Sequence, residues 1–158
     1  MIVHFTNSQH LIEVSSEQVH QLVACILQKE QVTCDEVSIH FVNIEDICKL
    51  HEEYFDDPSP TDCISFPMDD LEDDSFYKIL GEIFVCPDIA LEYSQANLLN
   101  FEEELTLYVV HGILHLLGYD DIDEEDQILM RSKEASCMQL LQEKNLILKT
   151  TTSLSLKK

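Results

Sequence analysis

The sequence predicts one domain in which short strands and amphipathic helices are mixed along the chain. Three observations carry this. Its 158 residues suit a single core that buries roughly two thirds of the unfolded surface. Hydrophobic residues at 45% and charged residues at 25%, with only 3 Gly and 4 Pro, exclude disorder, collagen-like repeats and low-complexity sequence. Apolar positions recur at strand-like or helix-like intervals along most of the chain, with no internal repeat and no long linker. Residues 1–145 are therefore read as the domain, and 146–158, which lack a helical period, as a loose tail.

The elements follow in order. Ile2 to Thr6 reads as a short strand. Ser15 then opens a helix with Gln18 three residues on, the capping-box spacing, and Val19, Leu22, Val23, Ile26 and Leu27 give that helix one face to bury. Val37 to Val42 alternates as a second strand, and Ile44 to Glu53 is a helix. The prolines and acids of FDDPSPTD, Phe55 to Asp62, mark a loop before a strand from Cys63 to Phe66, which Pro67 ends. The acidic run MDDLEDD, Met68 to Asp74, reads as a solvated loop. Leu80 to Cys86 is a strand, and Pro87 with Asp88 begins the next helix. The best-signalled helix has Asn100 as N-cap, acids at Glu102 to Glu104 where the macrodipole favours them, apolar residues to Leu117 and Gly118 as terminator. A last helix from about Asp123 to Leu141 is expected to bury Leu129, Met130, Cys137, Leu140 and Leu141.

Charge narrows the partners. Nine Lys+Arg against 31 Asp+Glu give a formal net of -22, which disfavours non-specific wrapping of a polyanion except at a local positive site such as a bound metal. The N-terminal MIVHFTNSQH has no basic region leading into an apolar stretch, and the uncharged segment from Leu105 to Tyr119 is shorter than a membrane span and carries two histidines. A cytoplasmic protein without a membrane role is expected. Six cysteines without a C-x-x-C pair are read as reduced core thiols instead of a disulfide frame or a thiolate zinc site.

His111 and His115 stand four apart on the apolar helix, so their imidazoles leave the same face on successive turns, about 6 Å apart at Cβ. Such a pair alone arises by chance on many helices. Here Gly118 stops the helix and lets the chain turn back, so Tyr119, Asp120 or Asp121 can bring a third donor to the same point. Two His plus one carboxylate with an open position is an accepted catalytic zinc set. Peptide hydrolysis of the H-E-x-x-H kind is disfavoured, because its general base would occupy the position of Gly112.

The segment HGILHLLGYDD, His111 to Asp121, resembles the H-G-x-L-H-L-x-G-Y-D-H signature of the YbeY family, bacterial metal-dependent endoribonucleases implicated in ribosomal RNA maturation. LHEEYFDDPSPTDCISFP, Leu50 to Pro67, and LGEIFVCPDIA, Leu80 to Ala90, resemble two further family segments in the family's order. The resemblance implies an α+β fold, a small mixed β-sheet packed with about five helices, and a zinc-hydrolase-like cleft between the histidine helix and the strand near Leu80. It also implies one zinc ion, a ribosomal RNA substrate acted on in single strands, and work with the ribosome or small-subunit ribosomal proteins; no DNA is expected. His111 and His115 map onto the first two ligands, and Asp121 falls where the family has its third His.

Three positions depart from the family pattern: Asp121, His51 for an Asn, and Phe55 for an Arg that places a cation in the substrate cleft. A carboxylate ligand lowers the site's formal charge from +2 to about +1 and weakens its Lewis acidity, and the set also suits iron or manganese. Phe55 cannot fork onto a phosphate, and His51 replaces that charge only when protonated. The catalytic candidates are His111 and His115, with Asp62, Thr61 and Ser65 positioning substrate or shuttling a proton. Turn and strand-end capping is the plainer role for those last three, and His40 is read as structural. The alternative function is a ribosome-associated assembly factor with a structural metal. An iron-dependent oxygenase is a third reading, without a cosubstrate feature to support it.

Overall fold

Strand alternation sends Val37, Ile39 and Phe41 of one central strand, and Ile83 and Val85 of another, toward one face of a sheet, and the architecture follows from covering that face. The structure, a computed structural model, describes residues 1–69 and 77–152. Its elements are β1 (Ile2–Asn7), β2 (Ile12–Glu13), α1 (Ser16–Lys29), β3 (Glu36–Phe41), α2 (Ile44–Phe55), β4 (Cys63–Pro67), β5 (Ile79–Val85), α3 (Pro87–Ala96), α4 (Phe101–Leu116), α5 (Glu124–Glu143) and β6 (Thr151–Thr152). The main sheet runs β1-β3-β5-β4. The first three strands are parallel and β4 is antiparallel to β5, so the sheet is mixed and the fold is α+β.

The main core joins that sheet face to Leu22 and Ile26 of α1, Val109 and Ile113 of α4, and Met130 and Leu141 of α5. Phe84 and Phe66 alternate to the other face, where α2 covers a smaller cluster of Val42, Ile47, Ile64 and Cys86. Helix α4 is the hub. It contacts α3, α5, β4 and β5, and it is buried at Leu105, Val109, Val110, Ile113 and Leu114. Asn100 caps it by accepting from the Glu103 N–H at 2.9 Å.

Several sequence expectations change. The tail is packed as far as it is described: Leu148 is fully buried, worth roughly 1.5–3 kcal/mol, and Thr151 and Thr152 pair with Glu13 and Ile12 in a second small sheet. A single apolar anchor with backbone pairing has no period for a sequence to show. The capping box at Ser15 is half formed. Ser15 accepts from the Gln18 N–H, while the Gln18 amide turns away to donate to the Lys149 carbonyl at 3.1 Å and accept from its N–H at 2.8 Å. Leu129 is exposed, because α5 buries only the stripe through Met130, Cys137 and Leu141. The six cysteines are free thiols, three of them buried. Of the acidic run, Asp70 to Asp74 lie outside the described residues. No helix among the described residues is long and apolar enough to cross a membrane.

Candidate metal centre and cleft

Gly112 sets the position of the histidines. A Cβ there would lie 2.6 Å from Ile83 Cγ2 and 3.0 Å from Cys63 Sγ, so only glycine lets α4 press this closely on β4 and β5. Ser65 Oγ donates to the Gly112 carbonyl at 3.2 Å across the same contact. His111 and His115, on either side of this glycine, are thereby held at the sheet edge, one turn apart.

The helix then ends in a Schellman motif. The Gly118 N–H bonds the His115 carbonyl at 3.0 Å and the Tyr119 N–H bonds the Leu114 carbonyl at 3.1 Å, with Gly118 at φ +101°. The reversal carries Asp121 back to the histidines: its carboxylate oxygens lie 3.5 Å from His111 Nε2 and 3.6 Å from His115 Nε2. On the outer side of the turn, the Tyr119 hydroxyl donates to Glu30 Oε1 at 2.7 Å, and Lys133 reaches the same carboxylate at 3.3 Å.

The two Nε2 atoms are 3.0 Å apart. His111 Nδ1 faces Glu134 Oε2 at 3.0 Å, which places the proton on Nδ1 and leaves a lone pair on Nε2. Two imidazole nitrogens this close need a cation, proton or metal, shared between them. Tetrahedral zinc with ligands at 2.0–2.1 Å sets donor atoms roughly 3.3 Å apart, close to the separations of 3.0, 3.5 and 3.6 Å observed. The three side chains therefore fit a single divalent ion. Burial opposes charge on His111, but its hydrogen bond to Glu134 and the charges of Glu134, Asp121 and Asp62 outweigh this and hold its pKa above the ordinary value.

Two pockets meet at His111. The larger, about 680 Å³, runs along the α4 stripe Glu104, Tyr108 and His111 and is walled by Asp62 and Tyr93 on one side and Arg131 and Glu134 on the other. The smaller, about 370 Å³, holds His51, Phe55, Ser65, His115 and Asp120. The turn thus brings Asp121, and not Asp120, within reach of both histidines. Asp62 accepts from the Cys63 N–H at 2.8 Å, a capping bond that leaves its second oxygen to the cleft. His51 is fixed by the Ser59 carbonyl at 2.8 Å, and His40 lies away from the cleft, against Thr6, Glu82 and the Phe84 ring.

Sequence reasoning missed Glu104, Tyr108, Arg131 and Glu134. The first two lie seven and three residues before His111, on the same helical stripe, so extending the phase of the histidine pair upstream would have found them. Burial raises the pKa of Glu104, and burial with the Glu104 charge raises that of Tyr108. Glu134 and Arg131 come from another helix, with no local spacing to signal them.

Fold and site together define an α+β domain in which two histidines and one carboxylate, a set that could hold a metal ion, meet in an acidic cleft. A family model described as Endoribonuclease YbeY matches residues 4–142. The chain is 50% identical over 149 residues to the Endoribonuclease YbeY of Protochlamydia amoebophila, covering 94% of this chain and 99% of that one. It is 38% identical over 146 residues to that of Chlamydia abortus, covering 90% and 92%. The solution structure of TM1509 from Thermotoga maritima superposes with a TM-score of 0.62 at 26% identity, covering 91% of this chain and 92% of that one. This chain belongs to the YbeY family.

Proposed function

We propose that the protein is a zinc-dependent endoribonuclease that cleaves single-stranded segments of ribosomal RNA during ribosome maturation in the cytoplasm. The observation that carries this is the convergence of His111, His115 and Asp121 at the meeting point of two pockets, in a chain of the endoribonuclease YbeY family. Zinc bound by these three residues would supply a Lewis acid for a phosphodiester oxygen and a bound water of lowered pKa. Glu134 keeps the His111 imidazole in the ligating tautomer. Asp62, with Thr61, faces the larger pocket and is placed to hold a ribose hydroxyl or accept a proton there. The Ser65 hydroxyl, given to Gly112, acts by holding β4 against α4. The net charge of -22 favours RNA presented by the ribosome and its basic proteins over naked RNA.

Zinc-loaded protein is expected to cleave a structured RNA in its single-stranded segments, with activity lost on chelation and in His115→Ala. The competing reading, a ribosome-associated assembly factor with a structural metal, is favoured by the carboxylates lining the cleft and by uncharged Phe55. Capture of ribosomal proteins without any metal-dependent cleavage would establish it instead.

A further inference from the structure

A phosphodiester approaching the triad meets mostly carboxylates. Asp62, Glu104, Asp121 and Glu134 line the larger pocket, and the smaller one adds Asp120. Among the described residues lining either pocket, one is a permanent cation: Arg131, in the larger pocket, which is also the single arginine of the chain. Its placement follows from helical phase. Gln127, Met130, Arg131 and Glu134 form the stripe of α5 that walls the cleft, and Glu134 on that stripe holds the ligand His111.

Arg131 is not consumed by a partner. Its Nε lies 4.0 Å from Glu134 Oε1 and its side chain is 82% exposed, so this contact is too loose and too wet to fix the group. Lys133, two residues on, shows the contrast: it pairs with Glu30 at 3.3 Å, lies over the Tyr119 ring at 5.4 Å, and supports the turn from behind.

We propose that Arg131 is the substrate-anchoring residue of the cleft, its guanidinium binding a backbone phosphate of single-stranded RNA beside the metal triad. A planar fork with five donors fits a phosphate bidentately, and in a chain this acidic one such group decides where a polyanion can rest. The inference rests on the ribonuclease reading and adds the residue that captures its substrate. Arg131 is a binding and positioning residue; the reacting atoms belong to the triad.

The test is binding and cleavage side by side. Zinc-loaded wild type, Arg131→Gln, Arg131→Lys and Lys49→Gln are titrated with a cleavage-resistant single-stranded phosphorothioate RNA over a range of salt, and assayed on unmodified RNA. Lys49 is an exposed cation on α2, outside both pockets. Arg131→Gln is expected to weaken binding about tenfold and to flatten the log Kd against log salt slope by about 0.7, the share of one phosphate contact. It should raise KM by about the same factor with kcat within about twofold, at unchanged zinc content and Tm. Arg131→Lys should restore the slope and part of the affinity, and Lys49→Gln should match wild type. Equal affinity and slope in Arg131→Gln, or an equal loss in Lys49→Gln, overturns the anchor even if the enzyme cleaves, and so does a wild type that binds no oligonucleotide. Weakened binding in Arg131→Gln by a protein that never cleaves supports the anchor while sinking the nuclease reading.

Discussion

The turn from Tyr119 to Asp121 separates two charged regions built on opposite plans. Behind it, the Glu30 carboxylate is 5% exposed and fully answered, by Tyr119 at 2.7 Å, Lys29 at 3.0 Å and Lys133 at 3.3 Å. In front of it, Asp62, Glu104, Asp121 and Glu134 share a cleft with His111 and one exposed arginine, and His115 lines the adjoining pocket. The first region is electrostatically closed and holds the turn in place. The second is left short of cations, and a divalent ion and a basic or metal-bridged partner are what it can still accept. One short reversal lets the closed side brace the open one, which is how a donor on a loop can be as well positioned as two on a helix.

The contrast breaks most completely at the triad. Asp121→Ala should remove one of the three proposed ligands while leaving the Glu30 side intact. Zinc content should fall from about one equivalent to well below half, and cleavage by at least about 100-fold, with Tm of the metal-free protein little changed. Elemental analysis of protein purified without a metal-affinity tag checks the first part. Full zinc retention would show that the triad does not bind the ion as a unit.

A smaller effect is expected one bond further out. Glu134→Gln keeps the shape but takes away the charge that orients His111 and raises its pKa. Metal affinity should drop about 10- to 100-fold, read by competition with a zinc chelator. An unchanged affinity would mean that His111 needs no orienting carboxylate.

How much of this was written in the sequence divides along the same line. The helix carrying His111 and His115, its Asn100 cap and its Gly118 stop were legible because caps and periods are local. Asp121 was legible as one of three turn residues, since a Schellman turn reverses the chain within a few residues. Glu134, Arg131 and Glu30 were not, because each reaches the site from another helix, and helix packing is not encoded in spacing. The same holds for the chain end, where Leu148 and the Gln18 to Lys149 bonds pin a segment without any period.

Glu30→Gln tests the closed side. Burial alone would push this carboxyl upward, but the bonds from Tyr119 and Lys29, the charge of Lys29 and the bond from Lys133 outweigh it and hold the pKa below the ordinary 4.5. A depressed carboxyl pKa stabilises the fold above its unfolded-state value, and the contribution is lost as pH falls through the folded-state value. The substitution should therefore cost about 1–2 kcal/mol near pH 7, and the gap to wild type should close in acid below pH 4.5. Denaturant midpoints at the two pH values measure it. A gap that persisted in acid would mean that Glu30 acts through packing and not through its charge.

The smallest effect sharpens the comparison from the open side. Phe55 lies at the rim of the smaller pocket, 56% exposed, its ring 5.7 Å from that of His51. Phe55→Arg adds a second permanent cation to a cleft that has one, without disturbing a buried contact. If the deficit of cations limits RNA capture, single-stranded RNA should bind about three- to fivefold tighter at low salt, with the gain fading as salt rises. Phe55→Leu, which changes the aromatic ring but adds no charge, should not show it. A gain in both variants would point instead to relief of a steric block by the phenyl ring, and the open region would then be short of room and not of charge.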